Sequence, residues 1–332
     1  MKITAIWVYP IKALRGIPLH TAHLGPQGVR YDRRFMLLKV KEDGSREKMQ
    51  LASFPQCSLF EQQIREDEII NVQYHAPTTP LVPSDPTHAT TLKVPLHPDI
   101  SQLEPVDVDL HGSHASAYRM GEDYDRWFSA CFGFRVMLVF IGDGRRPVLG
   151  TLAPRSEPTQ KGWLAQITSL VSASGQRGPD WLAFTDCAPF LVTSEASLRN
   201  VSSRLSNGVE AEMYKFRPNI VVDGEGAWDE DFWAELTVNG GEDRLLLTAN
   251  CGRCTSLNVD YETGRQADGE LGTVLKKLMK DRRVDKGTKW APIFGRYAFL
   301  NDDKEATVSV GDQVEVSRRN TERTVWDWPG LG

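Results

Sequence analysis

Cys251-Gly252-Arg253-Cys254 is the stretch of this 332-residue chain whose residue types and spacing point most directly to chemistry. Two thiols separated by two residues can serve disulfide exchange, supply half of a zinc site, or place a single cysteine on a metal. A structural zinc site closes with further Cys or His ligands. Every histidine here lies at or before His114, so no second ligand pair follows in the local order of a zinc finger. An exchange site of the thioredoxin kind opens a helix with its first cysteine, whereas Thr255-Ser256-Leu257-Asn258-Val259 reads as β. The spacing alone leaves exchange, metal binding and a purely structural pair open.

The elements that must position this motif are mostly strands. Ile3–Tyr9 ends at Pro10, Arg34–Val40 ends at the turn Asp43-Gly44, and Ser58–Ile64 precedes the charged run Arg65–Glu68, a pattern that predicts a small barrel or strongly curved sheet. Residues 76 to 99 hold six prolines, which predicts irregular chain and edge strands wrapping that unit. Tyr124, Trp127, Phe128 and Cys131 recur at helical spacing and predict a helix from about Glu122 to Cys131, followed by a strand over Phe134–Phe140. Ser194 reads as the cap of a helix carrying Leu198, Val201 and Leu205 and stopping at Asn207-Gly208. A second amphipathic helix is expected from about Gly272 to Met279. Ile220–Val222 and Leu245–Thr248 read as strands, and Thr307–Val316 reads as a hairpin about Gly311-Asp312. The tail Thr324–Pro329 carries two tryptophans and is expected to dock on the domain.

Composition bounds the partners. With 40% hydrophobic residues the chain holds enough apolar material for a sizeable core, and two domains are expected. A formal charge of −5 supplies no overall positive field for nucleic acid or an anionic membrane. No run approaches the roughly 20 apolar residues that cross a bilayer. Five cysteines, Cys57, Cys131, Cys187, Cys251 and Cys254, fit reduced intracellular thiols better than a disulfide scaffold. The expected location is the cytoplasm, or the soluble space of an organelle if a targeting segment is missing.

Six segments in one order carry a resemblance over nearly the whole chain. They are Tyr9-Pro10-Ile11-Lys12, Asp32-Arg33-Arg34-Phe35, Pro189–Val192 with Ser194–Leu198, Phe216-Arg217-Pro218-Asn219, Arg253-Cys254 with Val259–Gly264, and Ile293–Tyr297. In these the sequence resembles the MOSC-domain family with an N-terminal MOSC β-barrel, and within it the branch of mitochondrial amidoxime-reducing components. The resemblance implies a mixed α and β, β-rich fold. Residues 1–140 would form an N-terminal β-barrel-like domain with a helical segment, 141–180 a connecting arm, and 181–332 a MOSC β-barrel domain with peripheral helices and a C-terminal tail. It also implies a molybdenum cofactor, molybdenum on molybdopterin, whose single protein ligand is Cys254. Thiolate is a soft donor suited to a redox metal. Lys12, Arg33, Arg217, Asn219 and Arg253 would cradle the phosphate and pterin, since arginine clamps phosphate through paired donors. Cys251 would be a nearby thiol that does not bind the metal.

The implied activity is reduction of N-hydroxylated substrates, such as amidoximes, hydroxylamines or N-oxides, to the reduced nitrogen compound and water. Neither a glycine-rich nucleotide loop nor a Cys-x-x-Cys-His haem motif is present, so an external electron donor is required. The resemblance implies cytochrome b5 with an NADH-dependent reductase, and at family level it also carries pyridoxal phosphate binding. Two other readings are a cysteine-based sulfur carrier or transferase, and a non-catalytic module binding a small anion or pterin. Four positions depart from the resembled pattern: Ala13 for a serine, Ala52 where an arginine-containing stretch is expected, and Cys187 and Ala188 for hydroxyl residues.

Overall fold

The first strand of the chain is an interior strand of a sheet built mainly from its second half. A computed structural model describes residues 1–154, 180–241, 243–301 and 305–331; most of the expected connecting arm over 141–180 lies outside the described residues. In an eight-stranded sheet the order is Ile17–Leu19, Ile3–Val8, Ile220–Val222, Phe190–Ser194, Ile293–Leu300, Arg244–Gly252, Trp233–Val238 and Val314–Arg319. Ile3–Val8 runs antiparallel to Ile220–Val222, with Ile3 opposite Val222 and Ile6 opposite Ile220. The sheet curls until its ends meet. Ile3 N donates to Asp312 O at 3.0 Å and Val314 N to Met1 O at 2.8 Å, which satisfies backbone groups that an open edge would leave bare.

Alternation explains this placement. Ile3, Ile6 and Val8 are buried with Val192, Ile220, Trp233, Leu245 and Leu300 in one core. Each such side chain contributes about 1.5–3 kcal/mol on full burial. A second core gathers Phe35, Phe60, Trp127, Phe128 and Phe132 between a five-stranded sheet and the three-strand meander Phe60–Arg65, Ile69–Tyr74 and Thr91–Pro95. Val259 and Tyr261, from the second half, enter this core as well. The chain thus passes repeatedly between its two packed regions.

Most predicted elements appear, with instructive differences. The helix Glu122–Phe132 buries Trp127, Phe128 and Cys131 and ends on Gly133 at φ 74°, a left-handed cap that suits glycine. Thr91–Pro95 is the outer strand of its meander, as the prolines of that region suggest. The helix capped by Ser194 spans only Glu195–Ser202, and Leu205 packs beyond it from a turn. Ala306–Ser309 and Val314–Arg319 do not form the expected hairpin: the first pairs with Thr21–Gly25 and the second with Trp233–Val238. Both arms alternate as a hairpin would, but each finds a different buried sheet to join. Thr255–Asn258 is a 3-10 turn, not a strand, with only Val259–Asp260 extended. No helix among the described residues is long and apolar enough to cross a membrane.

The place of the first strand in this sheet makes a direct prediction. A fragment of residues 181–332 lacks Ile3–Val8 and exposes one edge of Ile220–Val222 inside its own sheet. It is expected to show no cooperative thermal transition and to bind a hydrophobic dye, and linking residues 1–32 to it should restore cooperativity. A sharp two-state melt of the isolated fragment would contradict this.

Candidate functional site

The strand Arg244–Gly252 delivers the cysteine motif to the surface. Its pairing with Ile293–Leu300 shifts register between Asn250 and Gly252, and Arg253 N then donates to Pro292 O at 2.8 Å. That irregularity separates the two thiols. Cys251 faces inward and is buried, whereas Cys254 lies in extended backbone before the 3-10 turn and is the one exposed cysteine of the five. Cys254 Sγ sits 3.2 Å from Ser256 Oγ.

Cys254 opens onto a cleft of about 510 Å³ whose walls come from both halves of the chain. Lys12, Arg33, Gln50 and His111 enter from the first half, and Asp186, Arg217, Arg253 and Tyr297 from the second, with Trp290 and Trp326 at the side. An inner chamber of about 100 Å³ adjoins it, sharing Arg33, Asp186, Arg217, Arg253 and Cys254 and adding Asn219. Four resemblance-implied residues, Lys12, Arg33, Arg217 and Arg253, therefore line the cleft with Cys254, while Asn219 borders only the inner chamber. Ala13, Ala52 and Cys187 also line the cleft, and Ala188 the chamber, so all four departures from the resembled pattern fall on the walls.

The floor is a knot of buried charges. Asp32 accepts from Tyr9 N at 2.8 Å and from Arg33 Nη1 at 2.6 Å. Arg33 also donates to Asn219 Oδ1 at 3.2 Å and to the Arg217 carbonyl at 3.3 Å. The guanidinium carbons of Arg33 and Arg217 lie 4.3 and 4.4 Å from the Tyr9 ring centroid, a double cation–π contact. Burial opposes the charge on Arg33, but Asp32 and Tyr9 outweigh it and raise its pKa. Asn219 is tied to the fold at both ends of its amide: Oδ1 also accepts from Leu191 N, and Nδ2 donates to Trp7 O.

Two guanidiniums keep donors in reserve. Arg217 Nη1 donates to Leu14 O at 2.9 Å, yet its Nη2 is buried without a partner. Arg253 donates to Phe216 O at 2.6 Å and to Cys251 Sγ at 3.1 Å, while its Nε is also unpartnered. Buried charged donors left unpaired are costly, so a site that holds two of them beside an exposed thiol suits a ligand rich in acceptor oxygens.

The opposite wall carries residues the sequence reading passed over. Lys12 Nζ donates to Phe184 O at 2.9 Å and to Asp186 Oδ1 at 2.5 Å, and His111 Nε2 lies 3.3 Å from the same oxygen. Burial pushes the Asp186 carboxyl up, but Lys12 and His111 overcome it and hold it well below the usual range. Burial lowers Lys12, and Asp186 opposes that. Beneath them Arg146, fully buried, donates to the carbonyls of Leu110, Ala183 and Thr185. His111 occupies the tip of the hairpin Glu104–Leu110 and Ser113–Arg119 with φ 63°, an uncommon conformation for a residue with a side chain. The strand-like alternation on either side of His111-Gly112 was the available signal for that turn. Asp186, a lone carboxylate just before Pro189-Phe190, had no such signal. The tail docks as expected: Trp328 Nε1 donates to His111 O at 2.7 Å, and Trp326 N to Asp285 Oδ1 at 2.9 Å.

Known proteins share this arrangement of sequence. The MOSC domain family matches residues 179–315, and the MOSC N-terminal beta barrel domain matches residues 1–135. Mitochondrial amidoxime-reducing component 1 of Mus musculus is 29% identical over 317 residues, covering 94% of this chain and 81% of that protein. Its Homo sapiens counterpart is 26% identical, with coverage of 94% and 82%. Mitochondrial amidoxime reducing component 2 of Bos taurus is 27% identical over 320 residues, again covering 94% and 82%.

The Lys12–Asp186 pair is testable through stability. Removing the carboxylate in Asp186→Asn strands a buried ammonium. Because the Asp186 side chain is 47% exposed, solvent moderates the penalty to about 1–3 kcal/mol at pH 7. A depressed carboxyl stabilises the fold above its unfolded pKa and loses that contribution as pH falls. The gap between wild type and variant should therefore close below about pH 4. Denaturant melts across pH check this, and a gap independent of pH would contradict it.

Proposed function

The chain belongs to the MOSC-domain family, with an N-terminal MOSC β-barrel domain ahead of the MOSC domain, and on that premise we propose that it is a molybdenum-cofactor-dependent reductase of N-hydroxylated small molecules. The relatives named for amidoxime reduction support the reaction class. The observation that carries the proposal is the exposed Cys254 thiol sharing one chamber with Arg217 and Arg253, each holding a buried N–H without a partner.

These residues fit the cofactor. Cys254 would bind the metal as its thiolate, and Arg217 and Arg253 would take phosphate or pterin oxygens through their free donors. Arg33 serves more as the support of that cradle, since Asp32 and Asn219 already occupy its Nη1. Asn219 holds Arg33 and the strand at Leu191 in place. Lys12 is committed to Asp186, so it acts by keeping that carboxylate ionised within the cleft. Lys12 is the one lysine among the described residues that line the cleft, and its engagement gives no support to pyridoxal phosphate as the resident cofactor.

When bound, the molybdenum cofactor supplies two-electron oxygen-atom abstraction. Overall, a hydroxylamine takes up two electrons and two protons, its N–O bond breaks, and the amine and water leave. The chain's own residues shape where that happens. Asp186 presents an ionised acceptor to the N–H groups of a hydroxylamine or amidoxime. Leu51, Ala52, Trp290 and Trp326 give the rest of the substrate apolar walls. Electrons come from an external one-electron donor, for which cytochrome b5 with an NADH-dependent reductase is the candidate that the family implies.

Cys254→Ala should lose molybdenum and N-reduction together, whereas Cys251→Ala should retain the metal. Metal-to-protein ratio and turnover after equal cofactor loading measure both, and full turnover by folded Cys254→Ala would reject the assignment. A persulfide on Cys254 in metal-free protein would instead favour sulfur transfer. The conservative changes Arg217→Lys and Arg253→Lys keep the charge but remove the planar fork. Each should speed cofactor loss about tenfold while leaving turnover per molybdenum near wild type. Unchanged retention in both would remove these arginines from the cradle.

A further inference from the structure

The two exposed large hydrophobic residues among those described, Trp290 at 72% and Val325 at 53%, lie on neighbouring segments beside the cleft. Trp290 forms part of the cleft wall, together with Trp326 from the tail. Val325 precedes Trp326 and borders a hollow of about 260 Å³ with Lys286 and Val284. The two segments are locked together. Trp326 N donates to Asp285 Oδ1, and a Cβ added to Gly287 would sit 1.8 Å from the Trp326 carbonyl oxygen. The apolar pair is thus built into a fixed surface.

Around it the charge is of one dominant sign. Seven of the 14 residues from Lys276 to Lys289 are Lys or Arg in a chain of net charge −5. Lys277 and Arg282 are consumed by Glu270 and Asp231. Arg283, Lys286 and Lys289 are exposed, with no carboxylate in ion-pair reach among the described residues. Of the nearby acids, Asp281 is paired with Arg204, Asp285 is buried, the exposed Asp327 accepts from Thr151 N, and Glu322 is the one exposed carboxylate among the described residues lining the hollow.

We propose that this surface, centred on Trp290 and Val325 and flanked by Lys286 and Lys289, docks an acidic electron-transfer protein at the mouth of the cleft. The proposal rests on the reductive reading above. A large aromatic within a polar rim is the usual make-up of a binding hot spot, and rim charges steer encounter more than they hold the complex. Polyanions fit less well. Extended single strands are bound along basic grooves with several stacking aromatics, and membrane surfaces by amphipathic helices, whereas here one tryptophan and one valine stand on short irregular segments. Each encounter passes one electron from the reduced partner to this protein, so two encounters match one substrate reduced and one water released.

The test uses the full-length, cofactor-loaded protein and the double variant Lys286→Glu/Lys289→Glu, with the soluble haem domain of cytochrome b5 as the acidic probe. Turnover of an amidoxime is driven either by that haem domain with its reductase or by dithionite-reduced methyl viologen, and haem-domain binding is titrated separately. The expected result is a rise of about tenfold or more in the KM and Kd for the haem domain at low salt. The difference should shrink as salt is raised, and viologen-driven turnover should stay within about twofold of wild type. Val325→Ser should weaken haem-domain binding without that salt dependence. Unchanged haem-domain KM and Kd in the double variant would overturn the proposal. So would tighter binding of phosphatidylserine vesicles or a DNA 20-mer than of the haem domain by the wild type. Loss of viologen-driven turnover in the wild type would instead count against the reductive reading, and the binding titration would still decide the docking surface.

Discussion

The buried carboxylate of Asp32 is the interaction on which the site depends. One oxygen fixes the backbone of Tyr9 and the other neutralises Arg33, so a single side chain sets both the ring and the cation at the floor of the cleft. Arg33 then reaches across to Asn219 and to the carbonyl of Arg217, residues from the other half of the chain. A buried guanidinium is costly unless its charge is matched or its N–H groups are satisfied. Asp32 provides that match, and the Tyr9 ring makes cation–π contacts with both guanidiniums. The cleft therefore sits where the two packed regions are joined.

This joint explains how the cations are divided. Arg33 is spent on structure, Lys12 on Asp186, and Arg146 on the carbonyls that shape the segment before Asp186. Arg217 and Arg253 alone among these five keep a buried donor without a partner. The chain places those two beside Cys254, so an exposed thiol and two guanidiniums with unpartnered donors line one small chamber. The first strand, Ile3–Val8, keeps that geometry rigid by tying the segment that leads to Lys12 into the sheet whose other strands carry Asn219 and the cysteine motif.

Much of this was legible in the sequence, and the exceptions have physical causes. Local periodicity revealed Glu122–Phe132 and the strands Phe35–Val40 and Ile220–Val222, because each is decided by its own pattern of burial. Pairing partners were not legible. Ala306–Ser309 and Val314–Arg319 alternate as a hairpin does, but only the three-dimensional sheet order reveals that they join different strands. The ordered motifs around Lys12, Arg33, Arg217, Arg253 and Cys254 named residues that do meet in one cleft. What composition could not disclose was how each is employed: which arginine is neutralised, and that His111 at a strained hairpin tip and Asp186 complete the opposite wall. Asp32 and Arg33 are sequence neighbours, but the other contacts, Lys12 with Asp186 and His111 with Asp186, join residues more than 70 positions apart, where no local pattern records them.

The most direct test of the account is the sulfur coordination of molybdenum in the cofactor-loaded protein, read by X-ray absorption at the metal edge for wild type, Cys254→Ser and Cys251→Ser. The account predicts one fewer sulfur neighbour in Cys254→Ser than in wild type and an unchanged count in Cys251→Ser. An unchanged count in Cys254→Ser would contradict it, since the metal would then take no sulfur from the exposed thiol that lines the cleft.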